Sequence, residues 1–130
     1  MARKSVVTLA TILVALGTFP FDLQDHPHWY KVAWVPFATG IVRPHDIIVN
    51  VALYLPLGFS LQAGTVCDLR LLVVLVALAL STLLELTQVW SHWRFPSATD
   101  VTMNVAGALL GAVWARRRVR AIAPSDSTQA

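Results

Sequence analysis

The sequence predicts an all-α integral membrane protein: a four-helix bundle of two parallel helical hairpins related by a pseudo-two-fold axis, with an interfacial outer loop. Three observations predict it. The 130 residues are 56% hydrophobic and 13% charged, with a mean hydropathy of +0.63, whereas a soluble domain carries about 25% charge. Four apolar runs follow one another, and none shows a charged face. A short pattern, D-x-x-x-N-V-A, occurs twice, at Asp46–Ala52 and at Asp100–Ala106.

The first helix, about 5–21, follows Arg3 and Lys4. No clear small-residue cleavage site follows its apolar run, so it is read as an uncleaved helix rather than a signal peptide. The second, third and fourth helices are expected at about 46–63, 70–90 and 100–116. A spanning helix needs about 20 residues, so the first, second and fourth are short and place their polar ends in the membrane interface. Residues 1–120 then form one transmembrane domain, and the small polar residues 121–130 form a cytoplasmic tail. The one long connection, Asp22–His45, carries Trp29, Tyr30 and Trp34, which suit the membrane–water boundary.

The basic residues orient the bundle. Arg3, Lys4, Arg70, Arg116, Arg117, Arg118 and Arg120 fall at one end, and Lys31, Arg43 and Arg94 at the other. That bias puts both termini in the cytoplasm of a multi-pass inner-membrane protein. The run Arg116–Arg120 directly follows an apolar segment, so it reads as a membrane-flanking anchor and not as a nucleic-acid site. The single cysteine, Cys67, excludes an internal disulfide.

Alternating chain direction then gathers the polar intramembrane residues at the outer end. At about 1.5 Å per residue, Asn50, Glu85 and Asn104 sit roughly 6–8 Å below the outer interface. Gln88 lies one turn above Glu85, Asp46 and Asp100 stand at the mouths of helices two and four, and Arg43 and Arg94 lie just outside. Asn50 and Asn104 are expected to face each other near the bundle axis.

Simpler roles exist for most of these residues. The aspartates match first-turn acids that complement a helix dipole, and the asparagines match interhelical hydrogen bonds worth about 0.6 kcal/mol. Gly107 and Gly111, with Ala108 and Ala112, form a close-packing face, while Pro56 and Gly58 shape helix two. His26, His28, His45 and His92 fit no metal-ligand spacing, and no cofactor or metal is expected. Glu85 is different. A charge in the membrane costs about 2.5 kcal/mol or more at central depth, so it is protonated, paired or facing a wet cavity. Arg94 is its natural partner.

The same residues carry a family likeness. "ELTQVWSHWRFPSATDVTMNVAGALLGA", Glu85–Ala112, resembles the VanZ-like family, whose signature is E-x-x-Q, then R, then D-x-x-x-N-x-x-G-x-x-x-G. "WVPFATG" and "DIIVNVALYLPLGF" resemble its upstream P-F and D-x-x-x-N-x-x-x-x-x-P-L-G-F elements, so the likeness runs from Val35 to Ala115. Carried over, the motif residues are Asp46, Asn50, Pro56, Gly58, Glu85, Gln88, Arg94, Asp100, Asn104, Gly107 and Gly111. Some family members place further acids between the positions of Arg94 and Asp100, where this chain has "FPSAT". The resemblance implies a small multi-pass bacterial membrane protein. The family's namesake is an accessory factor that lowers susceptibility to the lipoglycopeptide teicoplanin.

Three functions remain open at this point. The first is an outward-facing site for an anionic or polyhydroxylated envelope ligand, either a lipid-linked cell-wall intermediate or a lipoglycopeptide. It would use helix N-termini, Arg43 and Arg94 for phosphate, and the amides and acids for hydroxyls. The second is a metal-dependent enzyme acting on a phosphorylated lipid through Asp46, Glu85 and Asp100. The third is a structural or partner-docking network. Membrane lipids are the expected surroundings, and the oligomeric state is left open.

Overall fold

A computed structural model describes residues 2–18, 23–38, 43–63, 65–91, 93 and 95–122. Four α-helices follow one another: α1 (Ala2–Thr18), α2 (Pro44–Gln62), α3 (Arg70–Gln88) and α4 (Ala98–Ile122). Among the described residues of the α1–α2 connection there is one 3-10 turn, Trp29–Lys31. Among the described residues there is no strand, only two isolated bridges, Leu23 with Ser91 and Ala33 with Ser97.

Local chemistry sets the helix starts. Pro44 occupies the first turn of α2, where its missing N–H costs nothing. Ser97 caps α4: its Oγ accepts the Thr99 N–H at 3.2 Å and its carbonyl accepts that of Asp100 at 3.1 Å. Asp68, two residues ahead of α3, accepts the Arg70 N–H at 3.1 Å. Pro56 lies inside α2 on its exposed side. There it leaves the Ala52 carbonyl without its usual i+4 donor.

The helices differ from the expected apolar runs. α4 continues to Ile122, past residue 116 and into the expected tail, through Arg116, Arg117, Arg118 and Arg120, residues of good helix propensity. The rest of the tail lies outside the described residues. Among the described helices only α3 is long and apolar enough to cross a membrane, with a mean hydropathy of 2.1; the apolar part of α1 shrinks to Ser5–Leu16. α2 and α4 include their polar ends within the helix, which lowers their apolarity below that of a simple span.

Close packing centres on α2 and α4. A Cβ placed on Gly58 would overlap the Ala108 backbone, one on Gly107 the Val51 backbone, and one on Gly111 the Leu55 carbonyl. Backbones approach this closely only where the side chain is absent. Gly107 and Gly111 thus lie directly against the α2 backbone. The core between the helices holds Leu13, Tyr54, Leu57, Val73, Ala77, Ala108 and Ala112. Outside it, Leu71, Leu75, Leu78 and Leu83 of α3 and Leu110 of α4 are exposed.

Candidate functional site

The ends of the bundle separate as antiparallel neighbours require. The start of α2, the end of α3 and the start of α4 meet at one end. There the Asn50 amide donates to the Asp100 carboxylate at 2.8 Å. Glu85 Oε2 accepts the Ser97 backbone N–H at 2.7 Å, so an acid from α3 satisfies the cap residue of α4. In a capping box that contact comes from the third helical residue, here Asp100. Asp100 instead reaches across to Asn50, and Glu85 replaces it.

A small cavity of about 50 Å³ lies beneath these contacts, lined by Asn50, Tyr54, Glu85, Gln88 and Asn104, with Leu13 and Leu16 of α1 beside them. Both asparagines of the repeated pattern line this one cavity. Asn104, 6% exposed, donates to Ser81 Oγ at 2.8 Å. Its Oδ1 is buried without a hydrogen-bond partner, as is the Tyr54 hydroxyl, which lies near Ser81. The pairing is asymmetric. Asn50 joins Asp100, but no matching bond joins Asn104 to Asp46. Asp46 stands with more than half its side chain exposed, 3.6 Å from His45 Nδ1.

Above Glu85 is a larger pocket of about 320 Å³, walled by Trp29, Trp34, Pro36, Val89 and Pro96. One side of it is the α1–α2 connection, which folds back over the bundle end, and the other is built from α3 and the start of α4. Backbone bonds hold it there: Gln24 N–H to Trp90 O at 2.7 Å, Ala33 N–H to Pro96 O at 2.9 Å, and Ala98 N–H to Ala33 O at 2.9 Å. The Phe37 N–H donates to Thr99 Oγ1 at 2.9 Å, and Phe37 adopts a left-handed φ of 60°. Trp29 and Trp34 stack with planes 5° apart and centroids 6.4 Å apart, and Trp29 meets Trp90 edge-on. Lys31 Nζ sits 5.0 Å from the Phe95 ring. Glu85 lines both cavities.

Of the residues expected at the site, Asn50, Glu85, Gln88, Asp100 and Asn104 come together. Asp46 and Arg43 are exposed at the start of α2, and Arg94, with His92, lies outside the described residues. Among those residues no three His, Cys, Asp or Glu side chains cluster, so Asp46, Glu85 and Asp100 do not assemble into one oxygen-ligand set. Tyr54, Ser81 and Ser97 also belong to the site, beyond the residues expected from the sequence. Helical spacing marks two of them: Ser81 lies four residues before Glu85, and Tyr54 four after Asn50. The S-x-x-D pattern at Ser97–Asp100 marks the third.

The opposite end has its own polar network. Fully buried Gln62 donates to the Cys67 carbonyl at 2.7 Å and accepts the Leu69 N–H at 3.0 Å, tying the α2–α3 turn. Asp68 pairs with Arg70 at 2.5 Å and also with Arg116 of α4. The Arg70 hydrogen bonds, reinforced by Arg116, hold the Asp68 carboxyl well below the usual carboxylate range.

A family model described as VanZ/LLP1 matches residues 5–120. No match was found among curated proteins or among solved structures.

Proposed function

Because this chain belongs to the VanZ-like family, we propose that it is a bacterial inner-membrane protein that binds an envelope amphiphile at its outer end. The ligand is a lipid-linked cell-wall intermediate or a lipoglycopeptide, with an anionic or polyhydroxylated head. The observation that carries this reading is the apolar, aromatic-walled pocket of about 320 Å³ with Glu85 in its wall. A pocket of that size and character accepts part of a hydrophobic ligand, while a few polar groups fix its orientation. Membrane insertion is supported by α3. Only 33% of its apolar span is buried in the bundle, where the core helix of a soluble protein would be mostly buried. A contiguous exposed apolar surface of this kind needs lipid or a partner to cover it.

Glu85→Gln tests the reading, because glutamine keeps an acceptor for the Ser97 N–H and removes the charge. Teicoplanin and a polyprenyl-diphosphate-linked sugar are titrated against the protein in nanodiscs, with Trp29, Trp34 and Trp90 as fluorescent reporters. Saturable binding that weakens about tenfold in Glu85→Gln, with the melting temperature preserved, supports the proposal. Binding of neither probe to the wild-type protein overturns it. A variant that loses melting temperature and cellular phenotype together favours the structural network instead, which the Asn50–Asp100 and Glu85–Ser97 bonds also allow.

A further inference from the structure

The small cavity beneath Glu85 contains a specific imbalance of hydrogen-bonding groups. Asn50 and Asn104 each donate one amide N–H, to Asp100 and to Ser81, at 2.8 Å each. The carbonyl oxygen of each amide accepts and cannot donate. Asn104 Oδ1 is buried with no partner, on a residue that is 6% exposed. In the same lining the Tyr54 hydroxyl, on a residue 2% exposed, is buried beside Ser81 with no partner at good hydrogen-bond geometry. One group therefore requires a donor, and the other can supply one. Leaving a buried polar group unpaired carries its full desolvation penalty, so both gain from an occupant that satisfies them.

The occupant's chemistry follows from that pairing. An alcohol hydroxyl donates its hydrogen to Asn104 Oδ1 and accepts the hydrogen of Tyr54, which fills both vacant valences with one group. A fully ionised phosphate or a carboxylate has no hydrogen for Asn104 Oδ1, and any anion meets the Glu85 carboxyl in the same lining. An ammonium donates but cannot accept from Tyr54. The volume, about 50 Å³, is enough to hold a group of this size.

We infer that this cavity is a hydroxyl subsite, in which Tyr54 and Asn104 read an alcohol group of a membrane amphiphile. The inference rests on the ligand-binding reading above and narrows it: at this subsite the head is neutral and hydroxylated, not anionic. Binding here is a hydrogen-bond exchange with no covalent step.

The test compares two probes of equal shape, 1-decanol and 1-fluorodecane, at equal mole fraction in nanodiscs holding the full-length protein. Fluorine nearly matches the hydroxyl in size and donates no hydrogen bond. The expected result is an affinity about tenfold higher for the alcohol, because the fluoride leaves the buried acceptor unpaired. In Tyr54→Phe, which removes only the hydroxyl, the preference is expected to shrink severalfold with the fold intact. Equal affinity for the two probes in the wild-type protein overturns the subsite, and so does binding of neither. A preference that persists undiminished in a folded Tyr54→Phe overturns the role of Tyr54. The wild-type comparison needs no variant, so it decides the matter even where Tyr54→Phe fails to fold. The larger reading is judged separately by its teicoplanin and lipid-linked sugar titrations: if these succeed while decanol shows no advantage, only the hydroxyl subsite falls.

Discussion

The Asn50 side chain of α2 donates to the Asp100 carboxylate of α4 at 2.8 Å, so the asparagine of one D-x-x-x-N turn is joined to the aspartate of the other. The reciprocal pair, Asp46 with Asn104, is not formed: Asp46 is exposed beside His45, and Asn104 bonds to Ser81. Two identical sequence patterns therefore have different energetic roles. Asn50→Leu is expected to destabilise the protein by about 1–2 kcal/mol, since it removes a hydrogen bond to a charged group. Asp46→Ala is expected to cost under about 0.5 kcal/mol, as an exposed surface substitution. Reversible unfolding in mixed micelles measures both, and equal costs would refute the asymmetry.

Gly111 lies against the Leu55 carbonyl of α2, with no room for a Cβ. Gly111→Val is expected to force α2 and α4 apart and to cost about 1–3 kcal/mol, the usual range for an overpacked core. Leu110→Val, one residue earlier and exposed, is the control and is expected to change little. A variant at Gly111 that melts with the wild-type protein would show that the helices are not held this closely.

The pairing of Asp68 with Arg70 and Arg116 gives an acid dependence of defined sign. The folded state holds this carboxyl below its unfolded value, which is about 3.9 for an aspartate. Its contribution to stability is therefore fully present above about pH 4 and is lost as pH falls below that toward the folded value. Melting curves are expected to drop in this acid window for the wild-type protein, and the drop is expected to be smaller in Asp68→Asn. Added salt should also reduce the difference, because Asp68 and its partners are solvent-accessible. Identical acid profiles for the two proteins would remove the pair from the account.

Cys67 is exposed in the α2–α3 turn, at the end of the bundle that carries Arg70 and Arg116. If that end faces the cytoplasm, a membrane-impermeant maleimide leaves Cys67 unmodified in intact cells and labels it after permeabilisation. Labelling in intact cells would invert the proposed orientation and put the Glu85 cavity on the wrong side for an envelope ligand.

Much of this arrangement was legible in the sequence. The apolar runs give four helices, and alternating direction alone brings Asn50, Glu85, Gln88, Asp100 and Asn104 to one end. Gly107 and Gly111 announce a close helix contact through their spacing. Other features were not legible, for physical reasons. The fate of Asp46 and Asp100 depends on what covers each helix start: α4 begins beneath the α1–α2 connection, paired through Ala33, whereas α2 begins at Pro44 on the surface. That connection has no periodicity to show that it folds back, and its placement depends on backbone bonds to Trp90 and Pro96. Gln62 is a lone polar residue near a helix end, and nothing in its neighbours shows that it ties an entire turn.

The glycine-mediated seam between α2 and α4 has a mechanical consequence. Two backbones in direct contact have no side-chain layer that can shear, so these helices form a stiff keel carrying Asn50, Asp100 and Asn104 at fixed separations. Whatever compliance admits a guest molecule must then reside in the periphery, in the last turn of α3 and in the tryptophan-bearing strap that rests on it.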